Sequence, residues 1–84
     1  MADVVIYTRD GCPYCTRAKG LLDRKGVAYT EFNASVEADK RQEMMTRSGR
    51  NTFPQVFVGT THVGGCDDLH AAEADGSLDR LLAG

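Results

Sequence analysis

The chain has 84 residues, of which 42% are hydrophobic and 26% charged, with a formal net charge of −2. That length suits one domain spanning residues 1–84, whose modest core buries roughly two thirds of the unfolded surface. The slight acidity gives no electrostatic case for nucleic acid as a partner. No apolar stretch approaches the ~20 residues of a membrane span. The opening residues carry no basic region followed by a long apolar segment, so the expected setting is soluble and cytoplasmic, a reducing compartment.

Residues 4–8 are β-branched and aromatic, the pattern of a short buried strand. A polar loop, Thr8-Arg9-Asp10-Gly11, leads to Cys12-Pro13-Tyr14-Cys15. Pro13 fits a first helical turn, where its missing N–H costs nothing. The spacing of Ala18, Leu21 and Leu22 predicts a helix to about Lys25, stopped by Gly26. Val27 to Phe32 alternates apolar and polar and predicts a second strand. Residues 33–35 read as a turn. Residues 36–48, with Met44 and Met45 among charged neighbours, predict a helix ended by Gly49. Two strands joined through a helix form a βαβ unit with parallel strands. Gln55 to Val58, Gly59-Thr60 and Thr61 to Val63 predict a hairpin. After Gly64-Gly65, Asp67 or Asp68 is expected to cap a final helix, interrupted by Gly76 and recapped by Ser77, with Leu78, Leu81 and Leu82 as its buried stripe. The order β-α-β-α-β-β-α fits a thioredoxin-like α/β fold, one mixed four-stranded sheet flanked by helices.

The cysteine pair sits where a buried strand turns into a helix. The thiolate is the reactive form of cysteine, and a free thiol titrates near 8.5. A helix N-terminus offers unpaired N–H groups and about half a positive charge, so negative charge on the Cys12 sulfur is favoured there. Cys15 lies one turn on, close enough to attack a mixed disulfide held on Cys12. Cys12 is therefore read as the nucleophile and Cys15 as the more buried resolving thiol. A zinc site would need two further ligands, and His62, Cys66 and His70 are the candidates on paper. Pro13 and the strand-to-helix placement favour redox work, and no metal site is assigned.

Two further stretches bear on a binding site. Pro54 begins a strand, so it either sits on an edge or follows a cis bond. A cis bond would turn the Phe53 N–H and C=O outward for an extended peptide. In Gly64-Gly65-Cys66-Asp67-Asp68, glycines allow close backbone approach and a helix N-terminus binds carboxylates. Cys66 reads either as a buried small hydrophobe or as an exposed thiol open to glutathionylation or dimer formation.

Together these segments resemble glutaredoxin. Cys12-Pro13-Tyr14-Cys15 looks like the dithiol active site of that family, Thr52-Phe53-Pro54 resembles its Thr-Val-Pro segment, and Gly64-Gly65-Cys66-Asp67-Asp68 resembles its Gly-Gly-x-x-Asp region. The similarity covers nearly the whole chain and is nearest to the bacterial glutaredoxin 3 type. It implies glutathione-dependent reduction of protein disulfides and protein–glutathione mixed disulfides, with glutathione as co-substrate and no permanently bound cofactor. Cys12 and Cys15 would form the redox-active disulfide. Arg9, Tyr14, Arg41, Phe53, Pro54, Gly65, Cys66 and Asp67 would contact glutathione. Glutathione reductase would act upstream through glutathione, ribonucleotide reductase is a client by resemblance, and a monomer is expected.

Some residues depart from the family pattern. Arg9 stands where many members have lysine, which keeps the charge but adds a fork geometry. Phe53 replaces valine. The absence of tryptophan, and Pro-Tyr between the cysteines, speak against thioredoxin. The site is not the single-cysteine Cys-Gly-Phe-Ser type. Two alternatives accompany this reading: a module holding a metal or a two-iron, two-sulfur cluster between two chains, and a redoxin served by thioredoxin reductase.

Overall fold

Strand β1 (Val4–Thr8) lies inside the sheet, with every residue but Val5 buried. The structure, a computed structural model, describes residues 2–84. The other elements are α1 (Pro13–Arg24), β2 (Thr30–Asn33), α2 (Ala38–Ser48), β3 (Gln55–Val58), β4 (Thr61–Gly64), α3 (Cys66–Asp75) and α4 (Ser77–Ala83). The strands run in the order β2-β1-β3-β4. β1 pairs with β2 in parallel, from Val5 opposite Thr30 to Thr8 opposite Asn33. It pairs antiparallel with β3, which pairs antiparallel with β4 across a bulge at Val56/Phe57. This is the expected thioredoxin-like α/β arrangement, with its last helix divided in two.

Two apolar clusters hold the layers together. The larger joins Ile6, Val56 and Val58 of the sheet to Ala18 and Leu22 of α1, Leu69 of α3, and Leu78 and Leu82 of α4. The smaller packs Tyr7 and Phe57 against Met44 of α2. Ile6, Leu22, Met44, Leu69 and Leu78 have no exposed surface, and each such side chain contributes about 1.5–3 kcal/mol relative to an exposed one. Lys25, at the end of α1, reaches Glu73 at 2.7 Å and Asp79 at 2.6 Å, tying α1 to α3 and α4.

Several boundaries differ from expectation. The second strand begins at Thr30, not Val27, because the Val27 N–H is tied to the Leu22 carbonyl at the end of α1. Val27 and Tyr29 instead pack on the aliphatic cluster from a loop. α2 begins at Ala38, since the Val36 and Glu37 N–H groups both donate to the Asn33 carbonyl in a turn. Gly65, not an aspartate, caps α3. Asp68 sits in the first turn and its carboxylate reaches back to the Gly65 N–H at 2.9 Å. Gly76, at φ 83°, ends α3 and opens α4, and Ser77 does not recap. Its N–H is instead taken by Asp75 at 2.8 Å.

Candidate active site

Cys12 is the residue that begins α1. Its backbone is extended (φ −109°, ψ 100°), Pro13 follows as the first helical residue, and the Cys12 sulfur accepts the Cys15 N–H at 3.2 Å. A sulfur has thus taken the position usually filled by a capping oxygen, where unpaired N–H groups and the helix dipole favour negative charge. The two sulfurs differ in access: Cys12 is 6% exposed and Cys15 2%. Burial first, and then the hydrogen bond with Cys12, push the Cys15 thiol up to about 12, against a hydrogen bond from the Arg9 backbone. Cys15 is therefore the more buried of the pair and stays protonated at neutral pH.

The loop before β3 closes over Cys12. The Phe53-Pro54 bond is cis, and the Cys12 sulfur lies 3.9 Å from the Phe53 carbonyl oxygen, to which its S–H donates. Gln55 and His62 brace this loop, a role the sequence reading gave to neither. The fully buried Gln55 donates through Nε2 to both the carbonyl and the hydroxyl of Thr52, each at 3.1 Å. His62 Nε2 lies 2.6 Å from Gln55 Oε1, and its ring stacks on Phe57 at 4.8 Å. Burial, with the Arg50 charge next, lowers the proton affinity of His62. A polar residue at a fully buried strand position was the available signal, because such a group needs partners.

The third wall is the start of α3. Gly64, at φ 119°, lies so close to Asp68 that a β-carbon there would strike its carboxyl group. Asp68 accepts from the Gly65 N–H and from Arg50 at 3.0 Å, and these contacts, the Gly65 bond foremost, hold its carboxyl below the usual range. The Arg50–Asp68 pair joins the segment ahead of the cis-proline loop to the first turn of α3. Between these walls runs an open groove of about 190 Å³, lined by Tyr14, Phe53, Pro54, Gly65, Cys66, Asp67 and Asp68. Tyr14 is 54% exposed, with the Arg17 guanidinium 5.5 Å from its ring centre. Cys66 is buried in the aliphatic cluster, 3.5 Å from His70 Nδ1, and its thiol is pushed up by burial.

A second cleft, of about 480 Å³, opens on the other side of the cysteines. Cys12 and Cys15 both border it, together with Thr8, Arg9, Asp10, Lys19, Glu31 and Asn33. Glu31 Oε2 accepts from Thr8 Oγ1 at 2.7 Å and pairs with Lys19 Nζ at 3.1 Å. Arg9 is exposed and donates to the Asp10 carbonyl at 3.2 Å.

The glutaredoxin sequence profile matches residues 4–63, from β1 through the first residues of β4. The chain belongs to the glutaredoxin family. It is 56% identical to glutaredoxin 3 of Escherichia coli K12 over 82 residues, covering 98% of this chain and 99% of that relative. The solution structure of the Brucella melitensis glutaredoxin is similar at 63% identity and a TM-score of 0.84, covering 98% of this chain and 89% of that one. A buckwheat glutaredoxin–glutathione complex is similar at 32% identity and a TM-score of 0.88, covering 98% and 77%.

As a glutaredoxin this protein is a glutathione-dependent oxidoreductase. Its fold brings Tyr14, Phe53, Pro54, Gly65, Cys66 and Asp67 onto one groove beside Cys12. It places Arg9 in the other cleft, and Arg41 is exposed on α2 and borders neither. His62, named on paper as a zinc ligand, is instead bonded to Gln55. Among the described residues, no three His, Cys, Asp or Glu side chains converge as a metal set, and no helix is long and apolar enough to cross a membrane.

Proposed function

We propose that this glutaredoxin, acting as one domain over residues 1–84, reduces protein disulfides and protein–glutathione mixed disulfides through Cys12, with Cys15 as resolving thiol. The observation that carries this reading is the placement of the Cys12 sulfur at a helix start, 3.9 Å from the carbonyl of the cis-proline loop. A substrate disulfide lying along that loop presents its sulfur to Cys12. The Cys12 thiolate attacks the glutathionyl sulfur, and the protein thiolate leaves and takes up a proton. A second glutathione thiolate then attacks the Cys12–glutathione disulfide, releasing oxidised glutathione and regenerating Cys12. Alternatively Cys15 loses its proton and attacks the Cys12 sulfur, glutathione leaves, and two further glutathiones reduce the Cys12–Cys15 disulfide.

Glutathione is a short extended peptide with two carboxylates and one ammonium group. In this proposal its cysteine lies along Phe53 and Pro54, as a peptide pairs with an exposed backbone edge. Its γ-glutamyl carboxylate meets the backbone of Gly65, Cys66 and Asp67, where α3 begins. The Asp67 side chain faces its ammonium, Tyr14 lines the groove, and the long exposed side chains of Arg9 and Arg41 serve the glycyl carboxylate. The buckwheat relative, solved with glutathione, supports the choice of ligand. The setting is cytoplasmic, the protein works as a monomer, glutathione reductase renews the glutathione, and ribonucleotide reductase is among the clients.

The test is a coupled assay with a small mixed disulfide, glutathione, glutathione reductase and NADPH. Turnover is expected in the wild type and in Cys15→Ser. Activity that appears only when thioredoxin reductase replaces glutathione would overturn the reading.

A further inference from the structure

Cys15 presents a physical problem. The dithiol route needs it as an attacking thiolate, yet burial raises it far above neutral pH. A charged group close to its sulfur would lower the cost of ionisation during attack. Lys19 lies four residues after Cys15 on α1, which stacks the two side chains on one helix face. Both border the cleft opposite the substrate groove. The Lys19 ammonium is fixed there by Glu31 Oε2 at 3.1 Å, and Glu31 is fixed in turn by the buried Thr8 hydroxyl at 2.7 Å. The other ionisable groups around the cleft are Cys12, Arg9 and Asp10, with Tyr29 beyond Lys19. The Arg9 side chain is turned to the Asp10 carbonyl and its charge also lowers the Cys15 thiol, whereas Lys19, which feels the Cys15 charge in turn, is the cation anchored within the cleft by an ion pair.

We propose that Lys19, held by Glu31 and Thr8, is the positioning cation that meets the negative charge on Cys15 in the resolving step. The inference rests on the roles given above to Cys12 and Cys15. In the forward direction Cys15 gives its proton to water in the cleft and its sulfur attacks Cys12. The Cys12–Cys15 bond forms, the Cys12–glutathione bond breaks, and the departing glutathione thiolate takes a proton. In the reverse direction glutathione attacks Cys12 and Cys15 departs as a thiolate, so the same ammonium faces the same charge. The monothiol route never charges Cys15 and does not use Lys19. The plainer role for Lys19–Glu31 is a partly exposed ion pair tying α1 to β2, of little worth to stability.

Rapid mixing with oxidised glutathione, acid quenching and intact mass would follow two events separately: adduct formation on Cys12 and its conversion to the internal disulfide. Lys19→Met is expected to slow conversion about tenfold and to displace its rise with pH upward by about one unit. Adduct formation keeps its rate, and Lys19→Arg converts near the wild-type rate. In a Cys15→Ser background, adding Lys19→Met leaves deglutathionylation unchanged. Conversion that is unaffected, or slowed in the same proportion as adduct formation, would overturn the inference, as would equal slowing by Lys19→Arg and Lys19→Met. Absence of any adduct on Cys12 would overturn the nucleophile assignment and this inference with it.

Discussion

The two sides of the cysteine turn are built from different materials. The groove beside Cys12 is walled mainly by backbone and apolar surface, the Phe53 carbonyl, Pro54, the Tyr14 ring and the glycine start of α3, with Asp67 and Asp68 as its charged residues. The cleft bordering Cys15 is walled by hydroxyl and charged side chains: Thr8, Arg9, Asp10, Lys19 and Glu31. Backbone groups recognise an extended peptide through features common to every peptide, which suits a surface for varied substrates. Side-chain charges act at short range, which in the proposed cycle serves the resolving step and, through Arg9, the glycyl carboxylate of glutathione. One motif of four residues faces two environments because the helix start sets one sulfur against the cis-proline loop while the next turn carries the other deeper, behind the cleft.

The strongest way to break this comparison is to exchange the cysteines' fates. Cys12→Ser should reduce turnover of mixed disulfides to the buffer rate, whereas Cys15→Ser should abolish intramolecular disulfide formation and spare deglutathionylation. Equal loss in both, read in the coupled assay, would show that the two sides do not divide the work. A smaller effect is expected from Asp68→Ala on the groove side. It removes the carboxylate that joins Arg50 to the start of α3, so stability should fall by about 1 kcal/mol and KM for a glutathionylated substrate should rise several-fold. The internal conversion rate should stay as it is. Denaturant unfolding and steady-state kinetics separate these readouts.

The smallest effect concerns acid and the cleft side. The Thr8 hydrogen bond first, and then Lys19, lower the Glu31 carboxyl. A carboxyl lowered in the folded chain stabilises it fully above the unfolded value, near 4.3, and that stabilisation is lost as pH falls through the folded value. Glu31→Gln should therefore flatten the acid limb of a stability–pH curve, by at most about 1 kcal/mol because the pair is partly exposed. The groove should keep its KM. An acid limb equally steep in the variant would assign the loss to other carboxylates, of which Asp68 and Glu43 are also lowered.

Much of the groove was legible in the sequence because its parts are local. Cys12 and Pro13 start a helix by their own chemistry, and Gly64-Gly65 before Asp67-Asp68 marks a helix start approached by backbone. The two alternatives at Pro54 were resolved by the fold, which makes the bond cis. The cleft was not legible, since Thr8, Lys19 and Glu31 come from three elements and meet through the parallel pairing of β1 with β2. The same holds for Gln55 with His62 and for Arg50 with Asp68, contacts that no spacing announces. The early start expected for the second strand has a related cause: Val27 and Tyr29 carry a strand-like pattern, but they pack on the aliphatic cluster from a loop whose Val27 N–H is bonded to the Leu22 carbonyl, not to a neighbouring strand.

In the proposed cycle, the sulfur that caps α1 also connects folding to electron transfer. As a thiolate, Cys12 is a strong acceptor for the Cys15 N–H; as half of a disulfide, it is a weak one. The four states of the chain, folded or unfolded and reduced or oxidised, form a closed thermodynamic cycle. Any free energy that this cap adds to the reduced fold alone must reappear as a more oxidising couple, at about 30 mV for each 1.4 kcal/mol. Helix capping, ordinarily a matter of structural stability, here contributes to the direction in which electrons flow.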